Sequence, residues 1–236
     1  MHNGFTTLFG ATAALWVALS GAVAAQGNPV VVELYTSQGC VSCPPADAWL
    51  ATLADSDTVI ALGLHVDYWD YLGWADSFAN PAFTARQKRY AKAAGARMIY
   101  TPQIIIDGID RIEGLRPDQI SARLKSHAAQ TDQVTLTIEL KAGVVRILAT
   151  ANPPLAKGAV VQLVRYLPEA MVQIERGENA GRLASHRNIV TAWDRIAEWP
   201  GTEALSLDAP AAGDQPVVVI IQEPGPGAIL AAARLR

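Results

Sequence analysis

A third cysteine is missing from this chain of 236 residues, which has Cys40 and Cys43 and no other. Two cysteines exclude a disulfide-stapled miniature scaffold and are too few for an all-cysteine zinc site. Charge is scarce as well. Only 17% of residues are charged, the formal net charge is −3, and no long run of one sign occurs, so the basic footprint that holds nucleic acid is absent. No nucleic-acid partner is expected. The chain has no internal repeat and no low-complexity tract, which argues against a solenoid. Half of the residues are hydrophobic, which excludes a disordered protein and allows one large core or two smaller ones.

The opening MHNGFTT lacks Lys and Arg, so the positive start of an export signal reduces to the terminal amine and His2. From Leu8 to Ala25 the chain is uncharged, rich in Ala and Leu, and ends in small residues that suit cleavage after Ala24 or Ala25. Residues 1–25 are therefore read as a signal peptide. The mature chain is expected to be periplasmic or secreted, in an oxidising compartment. A membrane is a partner only if that segment is retained as an anchor, for which its apolar length is marginal.

Beyond residue 28 the pattern divides at about residue 131. VVVELY (Val30 to Tyr35) reads as a buried strand, PPADAWLATLAD as a helix opening on prolines, and TVIALGLHV as a second strand. Asn80 and Pro81 then supply a cap and a first helical residue for a helix ending near Gly95. MIYTPQIIIDG and DRIEG form a strand, turn and strand, and a helix follows from Pro117 to Ala129. This order predicts an α/β domain over residues 28–131, with a parallel core, an antiparallel edge and helices on both faces. From residue 132 to 236, short strand-like runs separated by AGD, NPP and EPGPG predict a mostly β, sandwich-like domain.

A disulfide across two intervening residues closes so short a loop that it stabilises less than the ~3 kcal/mol of a 15-residue loop. A structural zinc would need histidines from His65, His127 and His186, which share no knuckle spacing. The spacing suits redox chemistry better. Cys40 at a helix start would gain from the helix dipole and free N–H groups as a thiolate, while Cys43, one turn on, resolves a mixed disulfide. This requires the Cys40 sulfur to be ionised and reachable. Two other classes stay open: a copper-handling metallochaperone using Cys40, Cys43 and His186 or His65, and a non-catalytic binding scaffold.

The strand, the C-x-x-C at a helix start and the later Thr-Pro resemble the thioredoxin superfamily. More closely, ELYTSQGCVSCPPAD, HVDYWDYLGWADSFA, YTPQIIIDG and RGENAGRLASHRNIV together resemble an exported bacterial thioredoxin-like family catalogued only as a domain of unknown function. The resemblance implies a thioredoxin-like first domain and a thiol-disulfide oxidoreductase acting on protein cysteines, with no cofactor and no resident metal. It assigns Cys40 as nucleophile, Cys43 as resolving cysteine, and Pro102 as a residue whose bond from Thr101 is cis, with Thr101 pairing an extended substrate. Gly39 and Val41-Ser42 depart from the superfamily's usual Trp and Gly-Pro, which leaves the direction of electron flow open. Glu33 matches a buried acid behind the resolving cysteine that could take its proton; the plainer reading is a strand-end Glu in solvent.

HVDYWDYLGW leaves the C-terminal end of the second strand, the sheet edge that also carries Cys40. Asp67, Tyr68, Trp69 and Trp74, with Asp70 and Tyr71, could form a wall of the site, or pack as core beneath a long loop. Glu178, Asn179 and His186 could lie over the cysteines as a specificity loop. By pattern alone, that stretch is a hairpin turn with a solvated His. Arg86 to Arg89, RQKR, read as a solvated helix face.

Overall fold

The computed structural model describes residues 28–236, so the signal peptide read over residues 1–25 lies outside the described residues. β1 (Val30–Thr36) is buried at every position, as an apolar run without alternation requires of a strand covered on both faces. The chain continues through α1 (Pro44–Ala51), β2 (Val59–His65), a 3-10 turn at Asp70–Leu72, α2 (Pro81–Ala93), β3 (Gln103–Ile106), β4 (Asp110–Glu113) and α3 (Pro117–Ala128). Asn80 caps α2 by accepting the Ala82 N–H, and Pro81 follows it. β1 pairs in parallel with β2 from Val30↔Val59 to Thr36↔His65, and antiparallel with β3 on its other side. The Thr101–Pro102 bond that leads into β3 is cis.

The second half adds β5 (Val134–Lys141), β6 (Val144–Ala151), β7 (Ala159–Gln173), β8 (Leu183–Trp199), β9 (Leu205–Pro210), β10 (Val217–Gln222) and β11 (Ile229–Leu235). Here the sequence-based architecture fails. The expected α/β thioredoxin-like domain followed by a separate sandwich is replaced by one mixed sheet of eight strands, β11-β10-β7-β8-β2-β1-β3-β4, and a three-stranded sheet, β5-β6-β9. The described chain is mostly β, with three α-helices.

The physical reason lies at the join of β2 and β8, where Gly63 meets Ile189 in parallel. A β-carbon on Gly63 would stand 3.4 Å from the Arg187 carbonyl oxygen, so a small residue lets the strands approach. Asn188 adopts a left-handed φ of 48° and donates its side-chain amide to the carbonyls of Ala54 and Ala61. β10, VVVIIQ, is buried at every position, as an interior strand of a covered sheet is. Half-buried alternation, the mark of a small sandwich, is confined to strands such as β6.

Alternation along β1 sorts its side chains between two layers. Val30, Val32 and Leu34 pack with Ala46 and Leu50 of α1 and Ile120 of α3, whereas Val31 and Tyr35 pack with Phe83 and Tyr90 of α2. Glu33 therefore points toward α2. A third apolar cluster joins the small sheet to the large one through Val145, Ile147, Val161, Leu163, Val219 and Ile221. Among the described residues, no helix is long and apolar enough to cross a membrane.

Candidate functional site

Cys40 and Cys43 are joined in a disulfide between the end of β1 and the head of α1. Cys43 is the N-cap, and Pro44 and Pro45 occupy the first turn, where a missing N–H is tolerated. That choice removes what the sequence reading relied on. The amides of Ala46 and Asp47 both donate to the Cys43 carbonyl, and the Cys43 amide donates to the Cys40 carbonyl. The helix head thus offers the sulfurs no free N–H, only its dipole.

Access is the second correction. Cys40 is 1% exposed and Cys43 0%, so the reachable sulfur expected at position 40 is covered in this state. The loop from Ser37 to Cys43 is held from several directions. Asn179, at the turn between β7 and β8, donates its side-chain amide to the carbonyls of Gln38 and Cys40, each at 2.9 Å. Asp76 accepts the Gln38 amide at 2.8 Å, and the Trp74 indole donates to the Gln38 side chain at 2.8 Å. Gly39 is small for a reason: a β-carbon there would lie 3.2 Å from that of Trp69.

The structure brings together part of the expected wall. The Trp69 indole donates to the Thr101 hydroxyl at 2.7 Å, linking the aromatic loop to the strand that Pro102 opens. Trp74 lies on the cysteine loop, as above. Tyr68 turns toward α2, where its hydroxyl donates to Gln87, and burial pushes that phenol up to about 12. Asp67 is tied to α2 by the Thr84 hydroxyl at 2.5 Å. Asp70 accepts the Asp76 amide, and Tyr71 is 80% exposed.

Glu33 is buried, but it is not free to serve Cys43. Its two oxygens accept from Nε and Nη2 of Arg86 at 2.8 and 2.7 Å, and from the hydroxyls of Tyr35 and Tyr90. Arg86, expected in solvent, is buried and stacks 3.8 Å from the Trp193 ring centroid. This network fills the α2 side of the sheet, with β1 between it and α1.

The buried acid beside α1 is Asp47, which the sequence reading passed over. It lies four residues after Cys43, the spacing that makes side chains helical neighbours. Desolvation raises its carboxyl to about 7, against a lowering influence from His65. His186, expected as a solvated turn residue, is instead 4% exposed, with Nδ1 4.0 Å from the Asp47 carboxylate. Burial, reinforced by His65, lowers His186 to about 4. His65 Nδ1 meets Asp76 at 2.7 Å, and its ring centroid is 4.7 Å from that of His186. Burial alone would raise Asp76, but the hydrogen bond and charge of His65 and the amides of Gln38 and Phe78 hold it below the usual carboxylate range. Asp47 and His186 both line a cleft of about 630 Å³ between α1 and the start of β8. The PPAD string offered one usable signal, an acid one helical turn after the second cysteine.

Fold and site together define a mixed-sheet protein with a C-x-x-C disulfide at a strand-to-helix junction, backed by buried carboxyl and imidazole groups. The chain belongs to a family described as proteins of unknown function, DUF1223, whose model matches residues 31–222. It is similar to the crystal structure of AGR_C_4864 from Agrobacterium tumefaciens, with 32% identity, a TM-score of 0.76, and coverage of 89% of this chain and 96% of that one. It also shares a fold with HBP35 of Porphyromonas gingivalis at 12% identity and a TM-score of 0.64, over 88% of this chain and 74% of that one. No curated protein matches it.

Proposed function

We propose that this protein is an exported thiol-disulfide oxidoreductase that exchanges Cys40 and Cys43 with protein cysteines. One observation carries the reading. The chain's two cysteines form a disulfide with a sequence separation of only 3, at a strand-to-helix junction where it adds little as a staple. The uncharged segment before residue 26 supports export to a compartment where disulfides persist. Trp69 and Trp74 flank the cysteine loop, and Thr101 is held by the Trp69 indole, which supports the contact with a polypeptide that the sequence resemblance implies.

In the oxidised protein, a substrate thiolate attacks the Cys40 sulfur, forming a mixed disulfide and leaving the electron pair on Cys43. A second substrate thiol then attacks the substrate sulfur of that mixed disulfide and releases Cys40. Two substrate thiols become one disulfide, and the protein disulfide becomes a dithiol; the reverse sequence reduces a substrate. Attack needs Cys40 to emerge from beneath Asn179.

The 1% exposure of Cys40 favours a second reading, a binding scaffold whose disulfide is inert. Trapping decides between them. A Cys43→Ser variant should capture substrate proteins through Cys40, and the parent disulfide should open with millimolar dithiothreitol in the native state. A disulfide that yields only on unfolding would leave the scaffold standing. The copper-handling reading has less support: among the described residues, no three His, Cys, Asp or Glu side chains are grouped to hold a metal ion.

A further inference from the structure

We propose that the Asp47 carboxyl is the proton donor and acceptor for the Cys43 sulfur, and that His186, reaching α1 from β8, is its positioning residue. The inference rests on the redox reading above. When a thiolate displaces Cys43, the negative charge appears on a sulfur that is 0% exposed, where water cannot supply a proton. A buried acid within reach must do so, or the leaving group stays costly.

Glu33 is excluded because Arg86 and two tyrosines consume both of its oxygens on the far face of β1. Asp47 shares a helical face with Cys43 and is 9% exposed. The Thr36 hydroxyl of β1 faces the Asp47 carboxyl and lowers it, and the Asp76 carboxylate raises it. His65 comes from β2 and is taken by Asp76, Arg182 lies across the cleft, and His186 Nδ1 stands 4.0 Å away. The other nitrogen of His186, Nε2, is buried with no hydrogen-bond partner, so no competing acceptor fixes that ring. At 4.0 Å the neutral imidazole faces the carboxyl without drawing off its proton, and a small approach of the ring would bring the two into a hydrogen bond. The cleft that Asp47 and His186 line connects the pair to bulk water, where the carboxyl is recharged.

The step balances. The substrate–Cys40 S–S bond forms as the Cys40–Cys43 bond breaks, the electron pair passes to Cys43, and the Asp47 proton follows it. Asp47 leaves as carboxylate and regains a proton through the cleft. In reverse, the carboxylate takes the Cys43 proton as that sulfur attacks the mixed disulfide.

The test is the pH profile, from 5 to 9, of native-state reduction by dithiothreitol and of reoxidation. The parent should show an inflection near the Asp47 value of about 7, and Asp47→Asn should abolish it and slow the step about 100-fold. Asp47→Glu should restore part of the rate, and His186→Asn should displace the inflection without removing it. Asp47→Asn that is slower with the parent profile intact makes the residue structural and overturns the inference. If Asp47→Asn does not fold, infrared difference spectra of the parent decide: a protonated carboxyl band must respond to reduction, and a silent carboxyl region overturns the inference. A parent disulfide inert to dithiothreitol overturns the redox reading and this inference together. Exchange with an Asp47-independent profile overturns the inference alone.

Discussion

Asn179→Ala should accelerate attack on Cys40. The Asn179 side chain is 2% exposed and makes two 2.9 Å hydrogen bonds to the carbonyls of Gln38 and Cys40. A net contribution of about 0.5–1.5 kcal/mol per hydrogen bond puts the pair at about 1–3 kcal/mol. If reduction proceeds from an open form, in which this turn has lifted off the cysteine loop, losing both bonds raises the open population ~5- to 150-fold. The rate of native-state reduction rises by the same factor, provided opening is fast relative to attack. The assay is quenched alkylation after mixing with dithiothreitol, read by intact mass, with exposed Glu178→Ala as the control. A rate within about twofold of the parent, in a variant with unchanged thermal unfolding, refutes the argument. The sulfur would then be reached by a route that Asn179 does not close.

Arg86→Leu strands the Glu33 carboxylate in a buried site and should cost about 3–5 kcal/mol in urea unfolding; a loss below about 1 kcal/mol would show that the pair is not buried in solution. Adding Glu33→Met to Arg86→Leu should recover much of that loss. Asp47→Asn should also reveal a pH-dependent gain. Burial raises Asp47 from 3.8 to about 7, so between those values the native chain holds a proton that the unfolded chain has released, and its stability falls as pH rises. The variant should therefore gain on the parent from pH 4 to pH 7, by up to ~4 kcal/mol, and a gain that does not grow with pH refutes the assignment. His186 contributes the opposite slope: from about 4 to 6.5 the unfolded chain takes up a proton that the native imidazole refuses.

Local elements were legible because they obey local rules. An unbroken apolar run marked β1, and Asn80-Pro81 marked the start of α2. The assembly was not legible, since β8 joins the sheet through one glycine and one left-handed asparagine 125 residues apart in the chain. No periodicity encodes such a contact. Position 33 shows the same limit within a single strand. An acid in an apolar strand is correctly suspected of burial, but period-two alternation from Leu34 and Val32, which pack on α1, already sends Glu33 away from the cysteines. Its partner was hidden in RQKR, where the buried Arg86 and Gln87 and the solvated Lys88 and Arg89 look alike in composition. His186 failed for a related reason: its polar, glycine-punctuated surroundings describe the exposed tip of the hairpin, while the strand behind that tip runs back over α1.

The two sides of β1 divide charge in opposite ways, and that division bears on chemistry. Toward α2, Glu33 and Arg86 neutralise each other with both oxygens of the carboxylate hydrogen-bonded, so removing either partner leaves an unpaired buried charge. Toward α1, Asp47 has a weakly engaged imidazole 4.0 Å away and a carboxyl raised to about 7, so gaining or losing a proton there costs little near neutral pH. A fixed ion pair holds the sheet together; only a group balanced between two protonation states can follow a sulfur that changes its own. The Cys40–Cys43 disulfide, at the head of α1, lies on the side of the sheet where charge can change. The same side carries the β7–β8 turn that ties down the backbone of the cysteine loop through Asn179, so the loop and the imidazole beside Asp47 both depend on strands from the second half of the chain. If exchange occurs, a chain ending before β7 would keep both cysteines and lose the cover from Asn179 and the imidazole of His186.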